Sequence, residues 1–234
     1  MNVPDTYQPS NIYVPGLSRP DARDKHPDNH NLYTDRDVAM LPRLGKAHSR
    51  YREWVGRATS CNRLVRYLAG NKKAAHILEI GCGNGWLSHQ LSSVPDSRVI
   101  GLDPNLNELR QAARVFRHQS NLKFIYGDFY SDILQDLSFD IIVMAGSVHQ
   151  FPSLPLIIGD VLPHLRARGE LHLLDSCLFR PALQDFPHRF LYDPRSLWNR
   201  IVRRGTGLPW VCITLPPTAS SEPARSKTPA PPRQ

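Results

Sequence analysis

The chain has 234 residues, 41% of them hydrophobic, and a formal net charge of +8 at pH 7. That length accommodates one α/β domain with extensions and excludes two full ones, and the apolar fraction excludes a fibrous or wholly disordered chain. No apolar run approaches the length needed to cross a bilayer; residues 141–145 are only strand-sized.

Met1-Asn2-Val3-Pro4-Asp5 has no basic segment leading into an apolar one, so no secretory leader is expected. The four cysteines, Cys61, Cys82, Cys177 and Cys212, read as reduced thiols of a cytoplasmic protein. None belongs to a C-x-x-C pair and no Cys/His spacing matches a zinc site, so no metal is expected.

The positive charge is concentrated. Between residues 41 and 75 nine basic residues, Arg43 to Lys73, face a single acid, Glu53. Such a block suits phosphates, nucleic acid or an acidic lipid surface, and it equally suits the solvated face of a helix.

Residues 1–40 are polar, rich in Pro, Asn and Asp, and without a sustained period; with residues 41–46 they form an expected N-terminal arm lying across the domain. Residues 47–69 place Trp54, Val55, Ala58, Cys61, Leu64, Val65 and Leu68 at steps of three and four, the period of an amphipathic helix. Short strands are then predicted at 76–80, 98–103, 122–126, 139–145 and 170–175. Helices are predicted between them at 85–93, 105–118 and 154–165. Strands alternating with helices imply a parallel sheet covered on both faces. Beyond residue 176 the pattern is less regular, with strands expected at 189–192 and 210–214 and a helix at about 194–204. Residues 216–234 are Pro-rich and polar, too poor in apolar surface to offset their ordering entropy, and a disordered tail is expected. The domain proper is thus 47–215.

The chemistry is concentrated in Ile77-Leu78-Glu79-Ile80-Gly81-Cys82-Gly83-Asn84-Gly85, a strand running into a glycine turn that opens a helix. Glycines at alternate positions allow a sharp turn and close approach of a ligand. A dinucleotide fold uses G-x-G-x-x-G to seat a pyrophosphate on the helix N-terminus. Here the spacing is G-x-G-x-G and Glu79 precedes the first glycine by two residues. A carboxylate there repels a pyrophosphate and suits a cationic ligand bearing an ammonium and a sulfonium. Cys82 has no neighbouring base in the sequence and reads as a small packing residue of the turn.

The second predicted strand ends in Asp103, followed by Pro104. A carboxylate at that edge can accept both hydroxyls of a ribose, or cap the next helix. After the third strand comes Gly127-Asp128-Phe129. Asp128 can accept from an adenine amino group with Phe129 covering the ring, or serve simply as a turn residue. The fourth strand leads into Ala145-Gly146-Ser147-Val148-His149-Gln150-Phe151, at the carboxyl edge where open α/β sheets bind ligands. Imidazole is the side chain most often used as a general base, and His149 is the candidate here, or else a surface histidine.

E-x-G-x-G-x-G, the strand-end acid, the G-D-hydrophobic turn and Phe139-Asp140-Ile141-Ile142-Val143 together resemble the class I S-adenosylmethionine (SAM)-dependent methyltransferases over residues 47–176. The resemblance implies a Rossmann-like three-layer αβα fold with a mostly parallel seven-stranded sheet and an antiparallel last strand. It implies SAM as cofactor, with Glu79, Gly81, Cys82, Gly83 and Gly85 at its methionine and ribose, Asp103 and Pro104 at the ribose, Asp128 and Phe129 at the adenine, and Ala145 and Gly146 near the methionine end. The family's final strand hairpin is hard to place in the short C-terminal region. Tyr51, Trp54 and the arm are candidates for a lid, and Tyr192, Trp198 and Trp210 for the acceptor pocket. No N-P-P-Y sequence follows the fourth strand, which disfavours methylation of DNA bases. The expected activity is methylation of an O, N or C atom of a small molecule. The alternatives are methylation of RNA or protein through the basic helix, a SAM-binding protein without turnover, and an NAD-dependent oxidoreductase, which the glycine spacing disfavours.

Overall fold

A computed structural model describes residues 11–15, 33–72, 74–130, 132–151, 153–174 and 210–215. Seven strands form one sheet: β1 (Ile12–Tyr13), β2 (His76–Ile80), β3 (Arg98–Asp103), β4 (Leu122–Tyr126), β5 (Phe139–Ala145), β6 (Leu165–Leu174) and β7 (Trp210–Thr214). Their order is β1-β4-β3-β2-β5-β6-β7. Every pairing is parallel except β6 with β7.

Strand periodicity divides the core between the two faces of the sheet. Ile77, Phe124, Ile141 and Val143 pack with the buried residues of α2 (Tyr51–Asn71), α3 (Trp86–Leu91) and α4 (Leu106–Val115). Leu78, Ile80, Ile125, Ile142 and Met144 point the other way and meet Ile157, Ile158 and Val161 of α5 (Leu154–Val161). With both faces covered, the strands are near-continuous apolar runs, as buried parallel strands must be. The result is the Rossmann-like αβα architecture, with one antiparallel strand at its C-terminal edge.

The chain runs from β2 outward through β3 and β4, then returns to place β5 on the other side of β2. Loops leaving β2 and β5 therefore diverge at this reversal, which creates the crevice where open α/β sheets hold ligands.

Several boundaries differ from the sequence expectation. The first long helix begins at Tyr51, four residues late, and ends at Asn71. Residues 162–164 tighten into a 3-10 turn that ends α5 early. Strand β6 begins at Leu165 rather than 170, with an irregular register opposite Phe139 and Ile141. Arg166 and Arg168 interrupt its apolar pattern, and Arg168 takes φ 61°. The arm contributes two elements that its composition does not announce. Strand β1 pairs with β4 through Ile12 and Phe124. Helix α1 (Asp35–Met40) is opened by a capping box in which Thr34 and Asp37 satisfy each other's backbone N–H. The elements expected at 189–192 and 194–204, and the tail 216–234, lie outside the described residues.

Candidate active site at the carboxyl edge of the sheet

The turn after β2 is built by its own hydrogen bonds. The N–H groups of Gly81 and Cys82 both donate to the carbonyl of Leu102, at 2.8 and 3.1 Å. The N–H of Gly83 donates to Asp103 Oδ2 at 2.7 Å, and that of Gly85 to the carbonyl of Cys82 at 2.9 Å. These amides are committed to strand β3 and to the turn itself. These four amides are therefore not free for a pyrophosphate, which binds through free N–H groups at such a turn.

Gly81, Gly83 and Gly85 all have positive φ, between 52° and 75°. Gly85 caps α3 from this conformation, and a methyl group on it would lie 2.6 Å from the Phe124 ring and 2.9 Å from Ala112. Its requirement is close packing of turn, strand β4 and helix α4, and it lies behind the cavity lining. Gly146, after β5, has φ 69° and nothing within 4 Å of the position its Cβ would take, because that position opens into the cavity.

A cavity of about 350 Å³ lies against this turn, within the range of small-molecule sites. Its floor is formed by Glu79, Gly81, Cys82, Gly83, Asp103 and Pro104, and one side by Ala145, Gly146 and Ser147. A second cavity of about 70 Å³ is lined by Gly127, Asp128, Phe129 and Phe151. Both share Gly81, Pro104 and Gln150, so the two abut at the ends of β2 and β3. The residues predicted for the cofactor are thereby brought together, except Gly85, which packs behind; His149 and the lid candidate Tyr51 are not on either lining, and the acceptor-pocket candidates Tyr192 and Trp198 lie outside the described residues. His149 sits exposed in the 3-10 turn Val148–Gln150, with Ser147 and Gln150 rather than itself on the wall.

The acids of the floor are held differently. Asp103 receives Gly83 N–H on one oxygen and Asn105 N–H, at 2.8 Å, on the other, so it braces the turn and opens α4 as well as facing the cavity. Glu79 is 1% exposed, and burial pushes its carboxyl up to about 8, against the opposing effect of the hydroxyl donated by Ser88. Burial likewise raises the Cys82 thiol, aided by the nearby charge of Asp103. Buried and held in the thiol form, Cys82 suits a packing residue of the turn. Asp128 is exposed and accepts the N–H of Tyr130 at 3.0 Å. Phe129 is buried, with its ring 6.4 Å from that of Phe151.

The facing wall extends beyond what the sequence pattern indicates. Trp54 stands there as a lid candidate should, but Tyr33, Arg50, Glu53, Arg57, Trp86 and Glu108 also line the cavity. Trp54 donates from Nε1 to the Tyr33 hydroxyl at 2.9 Å and meets Trp86 edge to face at 4.9 Å. Arg50 lies over Tyr33 and Arg57 over Trp54, and Glu53 pairs with both guanidinium groups at 3.4 and 3.1 Å. The sequence signal for this wall is the stripe 50-53/54-57 on one helix face, though a periodicity does not reveal which face meets a ligand. Part of the basic block is thus consumed locally: Arg50 and Arg57 by the cavity wall and Lys72 by an ion pair to Glu170. Tyr33 is fixed by Gln111, which donates to its carbonyl at 2.8 Å and also to Asp35 at 3.1 Å; Asp35 in turn accepts from Arg114 at 2.7 and 2.8 Å.

These residues fit a cationic nucleoside. Glu79, Asp103 and Glu108 gather acid at the glycine turn, the open space at Gly146 is a cradle that a methyl would fill, and an aromatic pocket adjoins.

A family profile described as "Methyltransferase domain" matches residues 71–206. The chain belongs to this family, the class I SAM-dependent methyltransferases. It is similar to the sterol 24-C-methyltransferase of Neurospora crassa, 28% identical over 109 residues that make up 44% of this chain and 29% of that protein. It is also similar to the phthiotriol/phenolphthiotriol dimycocerosates methyltransferase of Mycobacterium leprae, 29% identical over 107 residues, 45% of this chain and 39% of that one. The chain thus aligns with less than two fifths of the length of these relatives. A solved SAM-dependent methyltransferase from Aquifex aeolicus superimposes with a TM-score of 0.46 at 15% identity, covering 61% of this chain and 73% of that one.

Proposed function

We propose that the protein transfers the methyl group of SAM to an O, N or C atom of a small-molecule acceptor. The observation that carries this reading is the joining of Glu79, the glycine turn and Asp103 in one cavity whose turn amides are already occupied. Support for a small acceptor comes from the relatives, named for sterol and phthiotriol substrates. A further support is the aromatic wall that Tyr33, Trp54 and Trp86 give the cavity.

The bound cofactor supplies a methyl already activated on a sulfonium, so the protein's work is positioning and exclusion of water. Glu79 holds the ammonium end, and Asp103 accepts from the ribose hydroxyls while bracing the turn. Asp128 accepts from the adenine amino group with Phe129 against the ring. Ala145 and Gly146 leave room for the methionine chain. Trp54 and Tyr33 close the site from the α2 side, and Arg50 and Arg57 face the acceptor. His149, exposed beside the wall residue Gln150, is the candidate base that removes a proton where the acceptor carries one.

The direct test is incubation of the full chain with methyl-labelled SAM and a fractionated small-metabolite extract. Label transferred to a low-molecular-weight product, with S-adenosylhomocysteine (SAH) formed in equal amount, supports the proposal. Label appearing only in RNA or protein fractions, or no SAH above the protein-free rate, contradicts it.

A further inference from the structure

Strands β6 and β7 bring together three side chains that the cavity does not use. His172 lies directly opposite Cys212 in the antiparallel register, and Glu170 is two residues from His172 on the same face. All three are buried, with relative exposures of 3% for Glu170, 0% for His172 and 5% for Cys212. Glu170 Oε2 and His172 Nε2 stand 3.1 Å apart, and one ligating atom from each of the three residues lies within 4.8 Å of the others.

We infer that Glu170, His172 and Cys212 form a binding site for one zinc-like divalent cation that clips β7 to β6. A thiolate, an imidazole and a carboxylate form the mixed donor set that zinc accepts, with a fourth position left to water. Zinc bonds of about 2.0–2.3 Å place tetrahedral ligand atoms roughly 3.3–3.8 Å apart, so from separations within 4.8 Å the ligands close by at most about 1–1.5 Å.

The surroundings orient the carboxylate for this role. Its other oxygen, Oε1, receives the Tyr67 hydroxyl at 3.0 Å and the Lys72 ammonium at 3.2 Å. Oε2 is left pointing toward the imidazole. Outer partners that fix a ligand in this way are what metal sites require. Lys72 has a side chain 23% exposed and can turn its ammonium toward water as the dication enters. Carboxylate and thiolate together neutralise the ion. On binding, the Cys212 thiol releases its proton and His172 keeps its proton on the ring nitrogen that does not ligate. Thr214 Oγ1, 3.9 Å from Cys212 Sγ, is a neighbouring polar group on the same strand. A clip here joins two strands that lie far apart in the sequence, where a cross-link stabilises most. No spacing motif announces it, because His172 and Cys212 meet only through strand register.

The test uses the full chain, stripped with a chelator and titrated with Co²⁺. The expected result is a near-ultraviolet thiolate-to-cobalt band saturating at one equivalent, displaced by Zn²⁺, and a higher thermal midpoint with Zn²⁺ than without. Cys212→Ser and His172→Gln lose the band, whereas Cys61→Ser keeps it. Should the variants fail to fold, alkylation of the wild type decides: bound Zn²⁺ protects Cys212 at least ten-fold, as mapped by mass spectrometry. Absence of the band in the wild type, its persistence in Cys212→Ser, or an unprotected Cys212 overturns the site and leaves a buried ion-pair network.

Discussion

The carboxylate of Asp103 accepts the backbone N–H of Gly83 at 2.7 Å, tying the end of β3 to the glycine turn that follows β2. One acid therefore both shapes the turn and faces the cavity. Asp103→Ala is expected to lower the affinity for SAH at least ten-fold. It should also destabilise the fold by about 1–3 kcal/mol, the usual consequence of leaving a buried donor unsatisfied. Asp103→Asn retains one acceptor oxygen and should fall between. Calorimetry with thermal unfolding on the same samples checks both effects.

Glu79 gives the site a pH dependence of defined sign. Its carboxyl titrates at about 8 in the ligand-free fold, so it is largely protonated at neutral pH. A cationic ligand favours the carboxylate and lowers that value, so binding releases a proton. SAM affinity should rise from pH 6 to 7.5. In Glu79→Gln the rise disappears, and affinity at pH 7.5 drops about 10–100-fold, the range for a hydrogen bond to a charged group.

The same shift makes a prediction for stability. The folded value lies above the ordinary 4.5, so the folded state binds this proton more tightly than the unfolded chain. Its contribution is fully present below about pH 4.5 and is lost as pH rises through 8. Ligand-free Glu79→Gln should therefore gain thermal midpoint over the wild type as pH climbs from 6 to 8.5, while losing affinity. Parallel melting curves across that range measure the crossing.

Two glycines separate packing from binding. Gly85→Ala pushes a methyl into Phe124 and Ala112 and should cost roughly 2–5 kcal/mol from overpacking and a left-handed backbone. Gly146→Ala meets open space and should cost only about 1–2 kcal/mol for the backbone. Its methyl nevertheless enters the cavity and should weaken SAH binding at least ten-fold. Denaturant titration and calorimetry on the pair distinguish the two.

Tyr33→Phe removes the acceptor of the Trp54 indole N–H, which donates at 2.9 Å within a side chain only 2% exposed. The expected cost is about 1–3 kcal/mol, accompanied by a faster release of bound SAH as the wall over the cavity loosens. Stopped-flow displacement reads the off-rate.

Strands β2 to β5 and the glycine turn are legible in the sequence because buried parallel strands are apolar runs and the turn needs its glycines where they stand. The spacing of those glycines and the acids beside them also point to a cationic ligand. Other features are hidden for physical reasons. Strand β1 is two residues long, too short for a period, and helix α1 is announced only by the Thr34/Asp37 capping box within a polar stretch. The first half of β6 carries the half-buried Arg166 and the exposed Arg168, which break its apolar run. Gly85 shares a motif with two cavity glycines, yet its neighbours Phe124 and Ala112 arrive from distant sequence. The wall formed by Arg50, Glu53 and Arg57 depends on which face of α2 meets the cavity. Only the docking of Trp54 against Trp86 and Tyr33 decides that.

The most direct measurement is calorimetry of the wild-type chain with SAM, SAH and NAD under identical conditions, repeated on Asp103→Ala. Saturable one-to-one binding of SAM and SAH, weakened at least ten-fold in the variant, with no heat from NAD, is the predicted result. Binding of NAD in preference to SAM, or SAM binding that Asp103→Ala leaves untouched, contradicts the account.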